Sequence, residues 1–219
     1  IRDYKVTGVQ TCALPISSDG HGLPHDPFKA IVAPRPIGWI STRSKSGAVN
    51  LAPFSFFNAL SVEPYLVWFS ADAEKDSVVF ARETGEFAVN LVGEKFARQM
   101  NATSVDAPRG ASKFAYAGIE AAPCRLIGAP HVAGAPAVLE CRLTEILEPK
   151  GLDGRWAGVY VVTGEVVGIH IDDAMLSDGL FDQKKAGNLA RLGYMDYLAI
   201  DETFQMRRPR WADEDASAS

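Results

Sequence analysis

The sequence predicts a mainly β protein with a few short helices. Short apolar runs of β type recur along the chain, separated by corners rich in Gly, Pro, Asn, Asp and Ser. Residues 137–147 alternate, with Leu139, Cys141 and Leu143 facing one way and Glu140, Arg142 and Thr144 the other, as in a half-buried strand. No G-x-G-x-x-G run is present and strands do not alternate with long helices, which argues against a dinucleotide-binding fold of βαβ units.

The 219 residues are 47% hydrophobic and 22% charged, enough for one globular domain with a real core. A net charge of −5 argues against a nucleic-acid surface, which wants a basic face. No run of about eighteen apolar residues offers a membrane span. Cys12, Cys124 and Cys141 show no C-x-x-C spacing, and an odd count suits a reducing, cytoplasmic compartment. His21 and His25 sit four apart, but nothing completes a metal-ligand set around them, so no metal is expected.

Residues 1–17 stand apart from the rest. The stretch 6–17, V-T-G-V-Q-T-C-A-L-P-I-S, resembles translated sequencing-adapter sequence. The rival reading, a signal peptide, needs a longer apolar core than 12–16, which also carries Pro15. The functional domain is therefore placed at 18–206, with a polar tail at 207–219 expected to be disordered.

Residues 18–34 read as a lead-in loop with one helical turn near 28–31. A first strand, 36–42, begins at Pro36, where proline is tolerated. A corner at 44–47 leads into a return at 49–52. Residues 53–61 do not alternate and gather Phe54, Phe56 and Phe57 around Ser55 and Asn58, which reads as a corner. Residues 65–70 form an apolar strand. A helix is expected over 77–84, with Asp76 or Ser77 as cap and Gly85 as terminator. A strand at 86–92, a helix at 94–102 with Phe96 and Met100 on one face, and a loop-rich stretch at 103–136 follow. The last long strand, 156–171, is apolar on both faces. Both faces should then be covered, by the core and by a partner subunit or a cofactor.

The corners between residues 35 and 77 collect hydroxyls, an amide, aromatic faces and a lysine. A flat, phosphorylated cofactor needs those groups. Lys75 and Ser77 at a helix start would offer a phosphate a cation and backbone N–H groups. Asp76 would repel phosphate if it pointed inward, so it is expected to cap the helix or face solvent. An ordinary surface helix start would carry the same residues. Ser41 and Thr42 end the first strand beside this cradle, and Arg35 flanks it. At Ser55-Phe56-Phe57-Asn58, a non-alternating turn exposes backbone groups that match the edge of a planar ring, with Ser55 and Asn58 facing the site. His170, in G-I-H-I-D, and Arg191, in A-R-L-G, are candidates for the reacting face. Arg191 could hold an anionic substrate or a donor's phosphate, while a lone strand histidine can be purely structural.

Five pieces in one order, R-P-I-G-W-I-S-T (35–42), N-L-A-P-F-S-F-F-N-A-L-S (50–61), K-D-S (75–77), T-G-E-F-A-V-N (84–90) and A-R-L-G (190–193), resemble the flavin reductase-like family. The resemblance runs from about residue 27 to 197. It implies an FMN-binding split β-barrel, a homodimer with flavin near the subunit interface, and NADH or NADPH as electron donor. It also implies that Ser41 and Thr42 contact the ribityl or phosphate part, that 55–58 lies along the ring, and that Lys75 and Ser77 meet the phosphate, with Asp76 between them in the cofactor-binding K-D-S. The expected function is an FMN-binding oxidoreductase, a NAD(P)H-dependent flavin reductase. The alternatives are an FMN protein acting as electron relay or monooxygenase, and a flavin-binding sensor module without turnover. Hydride transfer to flavin needs stacking rather than an acid–base pair, so the absence of a catalytic dyad is no objection.

Overall fold

The computed structural model describes residues 23–210; the adapter-like stretch, His21 and the end of the polar tail lie outside them. The helical turn expected in the lead-in loop is α1 (Phe28–Ile31). The first strand divides into β1 (Arg35–Pro36) and β2 (Gly38–Arg43). Proline has no N–H to give the ladder, so pairing changes partner there. β3 (Val49–Phe54) returns antiparallel to β2.

The expected corner at 53–61 is much shorter. Phe57–Val62 is a strand, β4, paired with β5 (Tyr65–Ala71), and only Ser55 and Phe56 separate β3 from β4. The β4–β5 register slips between Ala59 and Ser61, and such a bulge hides the period of two.

Helix α2 (Asp76–Thr84) closes at Gly85, whose φ of 73° lets its N–H reach Ala81 O. Neither Asp76 nor Ser77 caps it: Lys75 stands at the cap position and no side chain bonds the helix start. β6 (Glu86–Asn90) is shorter than expected. The 94–102 helix splits into a 3-10 turn, Glu94–Phe96, and α3 (Ala97–Ala102). The loop-rich stretch contains α4 (Lys113–Tyr116), β7 (Ala121–Pro123) and β8 (Pro130–Val132).

β9 (Ala137–Leu147) has the expected bounds. Glu140, placed on its polar face, is buried, because its carboxylate accepts from Arg125 N at 3.0 Å and Leu126 N at 2.6 Å of the covering segment. β10 (Tyr160–Ile171) starts four residues later than expected, since Trp156 bridges back to Lys150 instead. The chain continues through β11 (Leu176–Ser177), β12 (Leu180–Phe181), α5 (Gln183–Ala186), β13 (Leu189–Arg191) and β14 (Tyr197–Ala199).

Seven strands form one antiparallel sheet in the order β3-β2-β6-β9-β10-β5-β4. β3 and β4 are its two edges, yet they are joined by Ser55 and Phe56 alone. The sheet must therefore curl until its edges meet, and the split barrel follows from that join. Phe56 O accepts from Ser70 N at 2.8 Å, which fixes the corner onto β5. A smaller sheet, β1-β13-β14, lies beside it.

The barrel wall is covered on both faces. Trp39 and Ile40 are strand neighbours pointing opposite ways, and both are fully buried. Trp39 joins Leu51, Met100, Phe114, Val132 and Val138 under the α3–β8 layer. Ile40 joins Phe54, Phe69, Phe87 and Val162, with Val78 of α2. Asn90 pins β8 to the sheet, donating to Trp39 O (2.8 Å) and Ser41 Oγ (3.0 Å) and accepting from Val132 N (2.7 Å). Gly164 has no side chain because a Cβ there would lie 2.5 Å from the Phe87 ring.

Candidate functional site

A trough of three adjoining basins follows β3 and the corner after it. The first, at the start of α2, has about 140 Å³ and is lined by Asn50, Ala52, Lys75, Asp76, Ser77, Asp106, Ala107, Arg109 and Lys113. The second, about 360 Å³, lies on the corner: Pro53, Phe54, Ser55 and Phe56 face Lys29, Ser70, Ala71, Asp72, Lys75 and Val159. The third, about 370 Å³, is lined by Lys29, Arg35, Ile37, Pro53, Ser55, Met100, Asn101, Ser104, Arg191, Tyr194 and Tyr197. Lys75 lines the first and second, while Lys29, Pro53 and Ser55 line the second and third. The cations Lys29, Arg35, Lys75, Arg109, Lys113 and Arg191 outnumber the carboxylates Asp72, Asp76 and Asp106, in a chain whose net charge is −5.

The first basin sets three cations, Lys75, Arg109 and Lys113, against the carboxylates of Asp76 and Asp106. Lys75 Nζ is 2.8 Å from Asp72, and this partner holds the Asp72 carboxyl below its ordinary range. Burial, then the charge of Lys75, lowers the pKa of Lys113, against the opposing pull of Asp106 and Asp76. Asp76 accepts from Gly110 N at 2.8 Å and stands 3.5 Å from Arg109, so it ties the 106–110 loop to the helix start. On the floor, Asn50 Nδ2 donates to Ser77 Oγ at 2.9 Å, while Asn50 Oδ1 is buried without a partner. Thr42 is the cross-strand neighbour of Asn50, and its buried Oγ1 is also without a partner.

The residues singled out in the sequence do not all converge. Lys75, Asp76 and Ser77 line the first basin, Ser55 and Phe56 the second, and Arg191 the third, while Thr42 is buried behind the first, opposite its lining residue Asn50. Ser41 lines none of the basins: it is fully buried, donates to Pro130 O at 2.6 Å and accepts from Asn90, because it points to the opposite face of β2 from Thr42. Asn58 lines none of them either. As a β4 residue it is exposed, with its carbonyl on the N–H of Ala59 at 2.8 Å. Phe57 turns away from the trough, packs over Gly38 and lines an apolar hollow with Ile37, Val89, Leu139, Ile169 and Ile171. His170 lines none of the three basins; its exposed ring lies 5.7 Å from that of His131. Sequence reasoning missed Lys29, Arg109 and Lys113, whose only signal was positive charge in stretches read as loop.

Comparison with known proteins agrees with this architecture. Residues 32–190 match the flavin reductase like domain. An uncharacterised protein of Halalkalibacterium halodurans is 34% identical over 183 residues, covering 81% of this chain and 87% of that protein. Nitrilotriacetate monooxygenase component B from Bacillus cereus superposes with a TM-score of 0.79 at 25% identity, over 90% of this chain and 100% of that one. Flavoredoxin of Desulfovibrio vulgaris (Miyazaki F) has the same fold, with a TM-score of 0.71 at 18% identity over 93% and 97%. The profile match spans well over half of the chain, and the curled seven-stranded sheet is the one its solved relatives share: the chain belongs to the flavin reductase like domain family.

Proposed function

We propose that this protein is an FMN-binding oxidoreductase, a flavin reductase that uses NADH or NADPH. The observation that carries the reading is the first basin. It gathers three cations, the start of a nine-residue helix and one unpartnered buried amide oxygen, Asn50 Oδ1, in its floor, inside an acidic protein. A phosphate dianion answers each of these. Lys75, Arg109 and Lys113 would neutralise it, the open N–H groups of α2 would donate to it, and Asn50 would gain a partner from the phosphate or its ribityl neighbour.

The basin beyond has the shape and chemistry for a ring. Pro53, Phe54, Ser55 and Phe56 present apolar surface and a fixed corner, held by the Ser70 to Phe56 hydrogen bond. Bound flavin supplies the two-electron chemistry, and the chain supplies binding, orientation and electrostatics. The family membership and the flavin-binding names among its structural relatives support this cofactor.

A homodimer belongs to the same proposal. The hollow lined by Phe57, Leu139, Ile169 and Ile171, about 270 Å³, is apolar, and nearby Ile169 and Leu180 are 59% and 72% exposed. A second copy would cover this face of β10, and light scattering at micromolar concentration would show it. Among the described residues no helix is long and apolar enough to cross a membrane, and Cys124 and Cys141 are free thiols, as a cytoplasmic compartment would keep them.

The test of turnover is spectroscopic. Purified protein loaded with FMN is mixed anaerobically with NADH or NADPH and the visible flavin band is followed. Bleaching by at least one donor is expected. Bleaching by dithionite alone, even with free FMN added, would leave electron relay or sensing in place of reduction.

A further inference from the structure

The third basin differs chemically from the other two. It brings Lys29, Arg35 and Arg191 together with no carboxylate in its lining. Among the described residues none of the three forms an ion pair. Asp72 feels the charge of Lys29 but is already paired with Lys75 in the neighbouring basin. Arg35 and Arg191 are directly opposed across the β1–β13 pair, a placement that costs stability when the charges are alike.

The two arginines are not equally available. Arg35 is 7% exposed and spends its terminal nitrogens on the carbonyls of Lys29, Val32 and Leu192. Arg191 is half-buried, gives one nitrogen to Tyr194 O and lies over the Tyr197 ring at 4.4 Å, with the rest of its fork uncommitted. Around these cations the lining mixes Ile37, Met100, Tyr194 and Tyr197 with the polar side chains of Asn101 and Ser104. Cations and polar groups beside two tyrosine rings, in a volume of about 370 Å³, describe a pocket for a small polar molecule.

We propose that this basin is the substrate pocket and that it takes a small planar organic anion, an aromatic or unsaturated carboxylate. The carboxylate sits on the free edge of Arg191 with Lys29 beside it, and the planar body lies against Tyr194, Tyr197 and Met100. The anion offsets the Arg35–Arg191 opposition, so the pocket prefers a carboxylate over its neutral amide. The placement next to a flavin rests on the reading given above, through the shared residues Pro53 and Ser55; the carboxylate preference itself does not.

Calorimetric titration of the full chain with benzoate and with benzamide, with and without saturating FMN, tests this. Benzoate should bind roughly ten- to hundredfold more tightly than benzamide, the ratio expected for a charge-assisted contact. Arg191→Gln should abolish that ratio and Arg191→Lys should keep part of it. With FMN bound, benzoate should also shift the visible flavin band. Equal affinities, a ratio unchanged in Arg191→Gln, tighter binding of inorganic phosphate than of benzoate while FMN saturates the first basin, or displacement of benzoate by FMN would each overturn the proposal. If FMN does not bind while the benzoate preference persists, the flavin reading fails and the anion pocket stands. If FMN binds without any benzoate preference, the anion pocket alone fails.

Discussion

Arg35 stands directly opposite Arg191 across the antiparallel pair of β1 and β13, and the two identical side chains do different work. Arg35 is a staple. Its guanidinium joins carbonyls of α1, the residue after α1 and the residue after β13, while burial, then the charge of Arg191, lowers its pKa. Arg35→Gln leaves buried acceptors without partners and should cost about 2–3 kcal/mol in urea unfolding. Arg191→Gln loses the contact with Tyr197 and relieves the opposed charge, so stability should stay within about 0.5 kcal/mol. Equal losses in the two variants would contradict this division.

Lys113 gives the first basin a pH dependence. Its folded-state pKa is depressed from the ordinary 10.5 by burial, then by Lys75. As pH rises through the depressed value toward 10.5, the unfolded chain keeps a proton that the folded chain has lost, so this residue makes stability rise across that window. A phosphate would restore the charge, so FMN binding should take up a proton and weaken as pH rises through the same window. Titrations in that range should show the slope, and Lys113→Gln should flatten it. An FMN affinity independent of pH there would place Lys113 outside the phosphate site.

The thiols act in the opposite direction. Burial, then Glu140 and Glu86, pushes the Cys124 thiol up to about 12 from an ordinary 9.0, and burial raises Cys141 as well. Above pH 9.0 the unfolded chain ionises these groups and the folded chain does not, so their contribution to stability falls as pH rises. Replacing both with alanine should reduce the alkaline loss of urea resistance relative to the natural chain. An identical pH profile in the two would contradict the burial argument.

How much the sequence revealed depended on how local each signal was. The bounds of β9 were legible because its alternation is regular and turns flank it. β4 was hidden by one bulge, which broke the period of two between Ala59 and Ser61 and made a strand look like a corner. The start of α2 drew attention to Lys75 through helix signals carried by neighbouring residues. Arg109 and Lys113 reach the same basin only because the 103–113 stretch folds back over β3, a tertiary event without local pattern. Ser41 and Thr42 could not be separated from sequence, since a strand sends neighbours to opposite faces and either could have met the site.

A phosphate at the start of α2 is the feature on which flavin binding turns. The direct measurement is the affinity of the flavin-free chain for FMN and for riboflavin, which differ only in that phosphate, in the natural protein and in Lys75→Ala. The natural chain should bind FMN roughly ten- to hundredfold more tightly than riboflavin, as a charge-assisted contact predicts. Lys75→Ala should lose most of that margin and leave riboflavin binding unchanged. Equal affinity of the natural chain for the two flavins, or an equal loss for both in Lys75→Ala, would contradict it.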